Sequence, residues 1–161
     1  MISNDHTQFE TLVRRLKDMG KTVATAESCT GGLLGKSITD VSGSSAVYPG
    51  GVISYCNRIK HCLLGVDQAL LDAVGPVSVE VAFQMARGVR RTVGADYGVS
   101  VTGIAGPNSD ETGRPVGLVY LGAASAEMTL VRAFRFAGDR EAVRTQAAQA
   151  AASLMLELLE W

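Results

Sequence analysis

A short apolar segment that runs into a glycine-rich turn constrains the fold of this chain more than any other feature. Residues 22–26 are small or apolar and predict a buried strand. The turn Ser-Cys-Thr-Gly-Gly follows at 28–32, and an amphipathic stretch at 33–38 predicts a helix directly after it. This succession directs backbone N–H groups at the edge of a sheet. The turn is therefore expected either to hold an anion or to expose Ser28 as a nucleophile beside an oxyanion hole.

Helical and extended patterns alternate along the rest of the chain. Amphipathic or capped segments predict helices before Gly20, at 31–40, from 57, at 67–73, from 78, and from 139 to near the C-terminus. Apolar runs predict further strands at 47–55, 97–102, 117–124 and 128–136, the last two as a hairpin. This order favours an α/β fold, a three-layer α/β/α sandwich with a mixed sheet, as a single domain over residues 1–161.

Charge and composition exclude several classes of function. The 161 residues include 15 lysines and arginines against 16 acidic residues, so no basic surface for nucleic acid or for a membrane is expected. No apolar run reaches the roughly 18–20 residues that span a bilayer, and residues 1–11 lack the apolar core of a signal peptide. Cys29, Cys56 and Cys62 have neither zinc-site nor disulfide spacing. These features predict a soluble, reduced, cytoplasmic protein without a metal site.

Lys60 is the candidate base for a nucleophilic serine in the turn, because neither His6 nor His61 is placed to complete a triad. It lies near the start of a short predicted helix, where the helix dipole disfavours a charged amine. A free lysine titrates near 10.4, so a neutral amine at pH 7.4 costs about 4 kcal/mol unless burial lowers its pKa. The Ser–Lys hypothesis therefore requires a poorly solvated Lys60, close to the hydroxyl of Tyr55 or Ser54. The alternative is an ordinary solvated lysine on a helix surface.

A second glycine-rich turn follows the predicted strand at 97–102. In an open α/β sheet the carboxyl ends of the strands line one crevice, so Thr102, Gly103 and Gly106 are expected to share a pocket with the first turn. Backbone N–H groups of this turn would suit a phosphate or a ribose. The alternative is an ordinary turn between a strand and a loop.

Arg140 and Arg144 stand four residues apart in the first two turns of the last predicted helix. The helix dipole favours acids there, so two arginines indicate an anionic ligand or, alternatively, salt bridges to neighbouring acids. Glu27 is expected to point away from Ser28 or to cap the turn. The sequence contains no pattern of paired carboxylates, and no metal is proposed.

Four blocks of sequence, in this order, are similar to the C-terminal domain of the competence/damage-inducible protein CinA, the nicotinamide-nucleotide amidase family. The resemblance extends from about Thr7 to the C-terminus. The blocks are Ala-Glu-Ser-Cys-Thr-Gly-Gly at 26–32, Tyr-Cys-Asn-Arg-Ile-Lys at 55–60 with Leu-Leu-Gly-Val at 63–66, Val-Thr-Gly-Ile-Ala-Gly-Pro at 101–107, and Pro-Val-Gly-Leu-Val-Tyr at 115–120.

The resemblance implies hydrolysis of the carboxamide of nicotinamide mononucleotide to nicotinic acid mononucleotide and ammonia, without a metal or a cofactor. It implies Ser28 as the nucleophile and Lys60 as the base, with Tyr55 beside them. The fold of the family is a three-layer α/β/α sandwich that resembles anticodon-binding domains, in agreement with the pattern above. Many relatives carry an additional N-terminal domain that this sequence lacks, so the stand-alone form is expected.

One loop departs from the sequence pattern of the family. The family is usually glycine-rich after Pro107, whereas residues 108–114 are more acidic here.

A nucleotide-binding module without turnover is the alternative function. The alanine-rich last helix favours a homo-oligomer with either function. In the mechanism that the resemblance implies, the oxyanion is expected to bind the N–H groups of Thr30, Gly31 and Gly32. The ribose and phosphate are expected to bind Thr102, Gly103 and Gly106, together with Arg140 or Arg144.

Overall fold

A mixed sheet of five strands forms the middle layer of the structure. The computed structural model describes residues 7–161, so residues 1–6, including the polar N-terminus and His6, lie outside the described part. The helices there are α1 (Thr7–Met19), α2 (Leu33–Thr39), α3 (Asn57–Leu64), α4 (Gln68–Val74), α5 (Val79–Val93) and α6 (Arg140–Leu158). The strands are β1 (Val23–Glu27), β2 (Gly50–Ile53), β3 (Tyr97–Gly103), β4 (Leu118–Ala124) and β5 (Thr129–Arg135).

The strands lie in the order β2-β1-β3-β4-β5. β1 pairs in parallel with both β2 and β3, while β4 runs antiparallel to β3 and forms the predicted hairpin with β5. The carboxyl ends of the three parallel strands therefore meet at one edge, where Glu27, Ile53 and Gly103 end them. This arrangement confirms the mixed sheet and brings both glycine-rich turns to the same edge.

Helices cover both faces of the sheet, which confirms the predicted three-layer α/β/α sandwich. α1, α2 and α6 pack together on one face, and their buried residues share a core with Val99, Val101 and Leu121 of the sheet. α5 covers the other face, against Ala24 and Ala26 of β1, and α3 and α4 pack on α5. Because side chains alternate across a strand, β1 contributes Val23 to the first core and Ala24 and Ala26 to the second.

The small residues of α6 are used within the chain. Ala147, Ala148, Ala151 and Ala152 are all buried in the core between α6 and the sheet. Their short side chains let the α6 backbone approach β3 and β4 closely. Packing inside one chain therefore explains the alanine-rich pattern, and the homo-oligomer stays a prediction that this pattern does not support.

Two predicted boundaries were wrong. The second helix begins only at Leu33, because the two glycines before it have φ values of +56° and +109°, outside the helical region. The strand expected at 47–55 pairs only over Gly50–Ile53. The chain enters this strand from a 3₁₀ turn at Ser44–Ala46, and the carbonyl of Val47 accepts from the N–H of Val23 (2.8 Å) before the ladder begins.

Close contact between α3 and α5 places Lys60. Gly88 of α5 lies so near the end of α3 that a Cβ on residue 88 would be 1.8 Å from the carbonyl oxygen of Leu64. Since any side chain at this position would push α3 away, glycine allows α3 to pack directly on α5. Lys60, in the middle of α3, is thereby held next to the carboxyl edge of the sheet.

Candidate active site

Ser28 lies directly after β1, at the carboxyl edge of the sheet. Its N–H donates to the carbonyl of Val101 in β3 (2.9 Å), so the backbone leaves the sheet only beyond this residue. The Ser28 carbonyl accepts from the N–H of Gly31 (3.1 Å), which closes a tight turn ahead of α2. Gly31 and Gly32 adopt left-handed backbone angles that other residues rarely adopt. The turn therefore holds the serine hydroxyl at a fixed point beyond the strand end.

The carboxylate of Glu27 caps the N-terminus of α2. Its Oε1 accepts from the N–H groups of Gly32 (3.2 Å) and Leu34 (2.8 Å), and its Oε2 accepts from that of Gly35 (3.0 Å). The residue is only 2% exposed, so these bonds replace the water that a buried carboxylate would otherwise need. The expectation that Glu27 caps the turn is confirmed.

The Glu27 cap is expected to contribute strongly to stability. Glu27→Gln keeps the size but removes the charge and turns an amide N–H₂ toward a backbone donor, so the free energy of unfolding should fall by about 2–3 kcal/mol. Urea unfolding measures the loss. Glu80→Gln is the control, because Glu80 lies exposed in the first turn of α5. Equal losses in the two variants would contradict a special role for Glu27.

The side chain of Lys60 is buried, and its amine reaches the predicted nucleophile. Only 1% of the residue is exposed. Nζ donates to Oγ of Ser28 at 3.0 Å and to the carbonyl oxygen of Ser54 at 2.7 Å. The structure thus places the predicted base within hydrogen-bond distance of the predicted nucleophile. The expected contact between Lys60 and the hydroxyl of Ser54 was wrong. Ser54 binds the amine through its carbonyl, because its hydroxyl donates to the carbonyl of Glu27 (3.4 Å).

Burial lowers the pKa of the Lys60 amine from 10.5 to about 8. The nearby thiols of Cys56 and Cys29 act in the opposite direction but do not cancel this effect. At pH 7.4 the cost of a neutral amine falls from about 4 to about 1 kcal/mol, and about a fifth of the molecules hold it neutral. A neutral amine that donates to a carbonyl keeps its lone pair for the proton of the serine hydroxyl, as a general base must.

Cys29 is not a competing nucleophile, although it is adjacent to Ser28. Its side chain is buried, and burial raises the pKa of the thiol to about 11. Since only the thiolate is nucleophilic, this thiol is inert near neutral pH.

Among the backbone N–H groups of this turn, that of Cys29 is the candidate oxyanion donor. Those of Gly31 and Gly32 already donate, the first to the Ser28 carbonyl and the second to the Glu27 carboxylate. Within residues 7–161, the N–H groups of Cys29 and Thr30 have no acceptor from another residue.

The expectation for the two glycines was therefore wrong. Thr30 has no exposed surface and does not line the cleft beside Ser28, so its N–H is not presented to a ligand there. The residue after a serine nucleophile often donates to the oxyanion, and this rule is the signal that would have pointed to Cys29.

A cleft of about 300 Å³ opens beside the Ser28–Lys60 pair. Its walls come from the turn after β1, the segments before α3 and α5, the loop after β3 and the start of α6. The predicted site residues that line it are Ser28, Tyr55, Lys60, Thr102, Gly103, Gly106 and Arg140. The predicted site residues that lie outside this lining are Thr30, Gly31, Gly32 and Arg144.

Thr102 and Gly103 shape the cleft rather than offering side chains to a ligand. The hydroxyl of Thr102 donates to the carbonyl of Pro76 (2.7 Å), which ties β3 to the segment before α5. A Cβ at Gly103 would lie 2.7 Å from the carbonyl oxygen of Leu118, so glycine is needed for the pairing with β4. Pro76 and Val77 form an apolar part of the wall. The sequence analysis did not predict Pro76 or Val77 as site residues, because neither proline nor valine is typical of a catalytic or binding motif.

Arg140 and Tyr55 form a polar side of the cleft. Nη1 of Arg140 donates to the carbonyl of Gly106 (2.6 Å), and Nη2 donates to the hydroxyl of Tyr55 (3.3 Å). Tyr55 is 64% exposed, and the Lys60 amine makes its hydrogen bonds elsewhere. Tyr55 therefore belongs to the cleft, but its hydroxyl is not joined to the amine as expected.

Arg144 contacts the turn after β1. Its Nε donates to the carbonyl of Cys29 (3.0 Å) and its Nη2 to the carbonyl of Thr30 (3.0 Å). Of the two arginines proposed for an anionic ligand, Arg140 is therefore the one that faces the cleft.

The loop 108–114 is ordered by the carboxylate of Asp110. Its Oδ1 accepts from the N–H groups of Thr112 (3.0 Å) and Arg114 (3.2 Å). Arg114 in turn donates to the carbonyl of Val74 (2.6 Å), at the end of α4. These backbone N–H groups are engaged within the loop, so they do not replace a glycine-rich phosphate loop.

Residues 7–161 contain neither a cluster of metal ligands nor a membrane-spanning helix. That part holds no group of three or more His, Cys, Asp or Glu side chains arranged for a metal ion. None of its helices is both long enough and apolar enough to span a bilayer.

Known protein families provide a match over nearly the whole chain. The family model described as CinA C-terminal domain matches residues 5–159. The chain belongs to this family. The resemblance inferred from the four sequence blocks is thereby confirmed.

Similar proteins carry two kinds of name. A CinA-like protein from Geobacter sulfurreducens is 49% identical over 141 residues, which are 88% of this chain and 34% of the relative. A nicotinamide-nucleotide amidohydrolase PncC from Enterobacter agglomerans is 50% identical over 134 residues, 83% of this chain and 82% of the relative. This chain spans 34% of the length of that CinA-like protein and 38% of a putative competence-damage inducible protein from Caldanaerobacter subterraneus subsp. tengcongensis.

Solved structures of CinA proteins share the whole fold. The crystal structure of competence/damage inducible protein CihA from Agrobacterium tumefaciens superposes with a TM-score of 0.94 at 34% identity. The match covers 99% of this chain and 98% of that one. The α/β architecture around the cleft is therefore that of the CinA proteins.

Proposed function

We propose that this CinA-family domain hydrolyses the carboxamide of nicotinamide mononucleotide, giving nicotinic acid mononucleotide and ammonia. The observation that carries the proposal is the 3.0 Å hydrogen bond between Nζ of the buried Lys60 and Oγ of Ser28. A lysine with a pKa of about 8 beside a serine hydroxyl is a base and a nucleophile in contact. The name of the Enterobacter agglomerans relative supports the choice of substrate.

The reaction begins when the neutral Lys60 amine accepts the hydroxyl proton of Ser28 while Oγ attacks the carboxamide carbon. The carbonyl oxygen becomes an oxyanion, which the N–H group of Cys29 stabilises. The Lys60 ammonium, which also donates to the Ser54 carbonyl, then protonates the departing nitrogen. Ammonia leaves as the C–N bond breaks. Water, deprotonated by the same amine, releases nicotinic acid mononucleotide from the serine ester.

The cleft suits a cationic ring joined to a phosphate. Its volume of about 300 Å³ lies at the lower end of the range for small-ligand sites. Pro76 and Val77 supply an apolar wall for the pyridine ring, and Arg140 supplies a charged donor for the phosphate. The positive charge of the pyridinium withdraws electrons from the carboxamide, so its carbon is a better target for Ser28.

Ammonia release from nicotinamide mononucleotide by the purified protein tests the proposal. We expect nicotinic acid mononucleotide and ammonia in equal amounts, and much slower release from free nicotinamide, which lacks the ribose and phosphate. A thermal shift with the mononucleotide but no ammonia would contradict the proposal. That outcome would favour a nucleotide-binding module without turnover.

Arg140→Met is expected to weaken substrate binding more than catalysis. A lost charge-assisted bond to phosphate should raise KM for the mononucleotide about 10- to 100-fold and change kcat far less. Steady-state kinetics with nicotinamide riboside, which has no phosphate, provides the control. The variant should treat the riboside much as the wild type does. An equal loss with both substrates would show that Arg140 does not bind the phosphate.

A further inference from the structure

The guanidinium of Arg144 holds the two carbonyl groups that follow the nucleophile. Nε donates to the Cys29 carbonyl and Nη2 to the Thr30 carbonyl, each at 3.0 Å. The arginine lies on α6, half-buried, and reaches across to the turn between β1 and α2. A planar group with two charge-assisted bonds restricts the orientation of both peptide groups at once.

Peptide geometry carries this restriction to the opposite side of the turn. In a trans peptide the C=O and N–H point in opposite directions, and the peptide bonds of this turn are trans. The carbonyl of Cys29 shares its peptide group with the N–H of Thr30, so its bond to Arg144 directs that N–H away from the guanidinium. The carbonyl of Ser28, bound by the N–H of Gly31, directs the N–H of Cys29 in the same way.

We propose that Arg144 is the positioning residue of the oxyanion hole: by holding the carbonyls of Cys29 and Thr30 it fixes the turn that presents the N–H of Cys29 to the oxyanion. This proposal rests on the amidase function proposed above. Two bonds from one planar guanidinium restrict the rotation of this turn, so the Cys29 N–H keeps its direction beside Ser28. Arg144 acts through the backbone and touches neither the substrate nor the reacting atoms.

The alternatives for Arg144 fit the structure less well. A phosphate-binding arginine would face the cleft, but Arg140 lines the cleft and Arg144 does not. A structural salt bridge would need an acidic partner. None of the ion pairs between residues 7 and 161 includes Arg144.

Steady-state kinetics with nicotinamide mononucleotide separate these roles. Arg144→Met should lower kcat about 10- to 100-fold, part of the loss expected for a whole oxyanion donor, and leave KM within about threefold. Arg144→Lys keeps the charge but reaches one carbonyl, so it should recover part of the loss. Both variants should keep the wild-type midpoint of the pH–rate profile, because Lys60 is untouched. A raised KM with unchanged kcat would overturn the proposal.

A fluorophosphonate probe tests the same role without the natural substrate. Ser28 Oγ forms a bond to phosphorus, fluoride leaves, the hydroxyl proton passes to Lys60, and the phosphoryl oxygen takes the oxyanion position. Labelling of Arg144→Met should be slower by about 10- to 100-fold, and labelling at the wild-type rate would overturn the proposal.

The same probe keeps the two proposals distinguishable. Wild-type labelling without ammonia release would refute the amidase substrate while leaving the Arg144 comparison valid. Circular dichroism and thermal unfolding verify that each variant is folded. If Arg144→Met does not fold, Arg144→Lys provides the test. A wild-type labelling rate and a wild-type kcat in Arg144→Lys would then contradict the proposal.

Discussion

Replacing Ser28 with alanine is expected to slow the hydrolysis of nicotinamide mononucleotide by about 10⁴-fold or more. The cleft offers no other activated nucleophile, since the neighbouring Cys29 thiol has a pKa of about 11. Without Oγ no serine ester can form, and the remaining groups only orient the substrate. Ammonia release under saturating substrate measures the loss.

The Ser28→Ala comparison needs a folded protein and a matched substitution. Ser44→Ala is the control, because Ser44 is also a buried serine and lies outside the cleft lining. It should keep wild-type activity. Calorimetric binding of nicotinic acid mononucleotide should be retained in Ser28→Ala, because the hydroxyl serves the chemical step. Turnover by a folded Ser28→Ala variant would exclude Ser28 as the nucleophile.

Replacing Lys60 with methionine is expected to lower kcat/KM by about 10²- to 10⁴-fold, the range for loss of a general base. In the wild type, the rate should rise with pH through about 8 and then level, because only the neutral amine accepts the Ser28 proton. The variant should lose this rise. A wild-type pH–rate profile in Lys60→Met would assign the titration to another group.

The same variant should change how stability depends on pH. The pKa of Lys60 is about 8 in the folded protein and 10.5 ordinarily, so between these values the unfolded chain binds a proton that the folded chain does not. Wild-type stability therefore gains about 3 kcal/mol from Lys60 as pH rises through this window. Below pH 8 both states carry the proton, and the burial cost is fully present.

Urea unfolding of both proteins at pH 7 and pH 10.5 measures this effect. The free energy of unfolding of Lys60→Met, relative to that of the wild type, should be about 3 kcal/mol higher at pH 7 than at pH 10.5. Lys17→Met is the matched control, because Lys17 lies exposed in the last turn of α1. Its difference from the wild type should be the same at both pH values. A constant difference for Lys60→Met as well would contradict the lowered pKa.

Local sequence patterns predicted the helices and strands, and they also indicated Ser28 and Lys60 as the candidate nucleophile and base. The helices predicted from 78 and from 139 are present, and Ser78 and Asp139 cap them by accepting from the N–H groups of Val81 and Ala142. Capping and periodicity act over a few residues, so they can be recognised without knowledge of the fold. The same holds for the small and glycine residues that surround Ser28.

The oxyanion donors depended on contacts between distant residues. Glycine composition favoured Gly31 and Gly32, but Glu27 and the turn itself engage their N–H groups. Arg144 was predicted to bind a ligand because its place on the helix is visible in sequence, whereas its contact with Cys29, 115 residues away, is not. Which donors stay available follows from the full set of hydrogen bonds, and no local pattern encodes that set.

The burial of Lys60 also depended on tertiary packing. Sequence left open a solvated lysine on a helix surface, because α3 is short and charged at several positions. The contact at Gly88 brings α3 against α5 and turns the amine toward Ser28. A glycine in the middle of a predicted helix signals close packing, but it does not identify the partner.

The reach of Arg144 across the chain has a consequence for the timing of activity during synthesis. The candidate nucleophile, its carboxylate cap and the candidate base all lie between residues 27 and 60, whereas α6 is synthesised after all of them. A nascent chain without α6 can hold serine and lysine but lacks the arginines that contact the turn and line the cleft. Because domains generally fold as units once complete, the proposed hydrolysis would begin only after α6 has been synthesised. A nascent chain that has not reached α6 would then leave the proposed substrate intact.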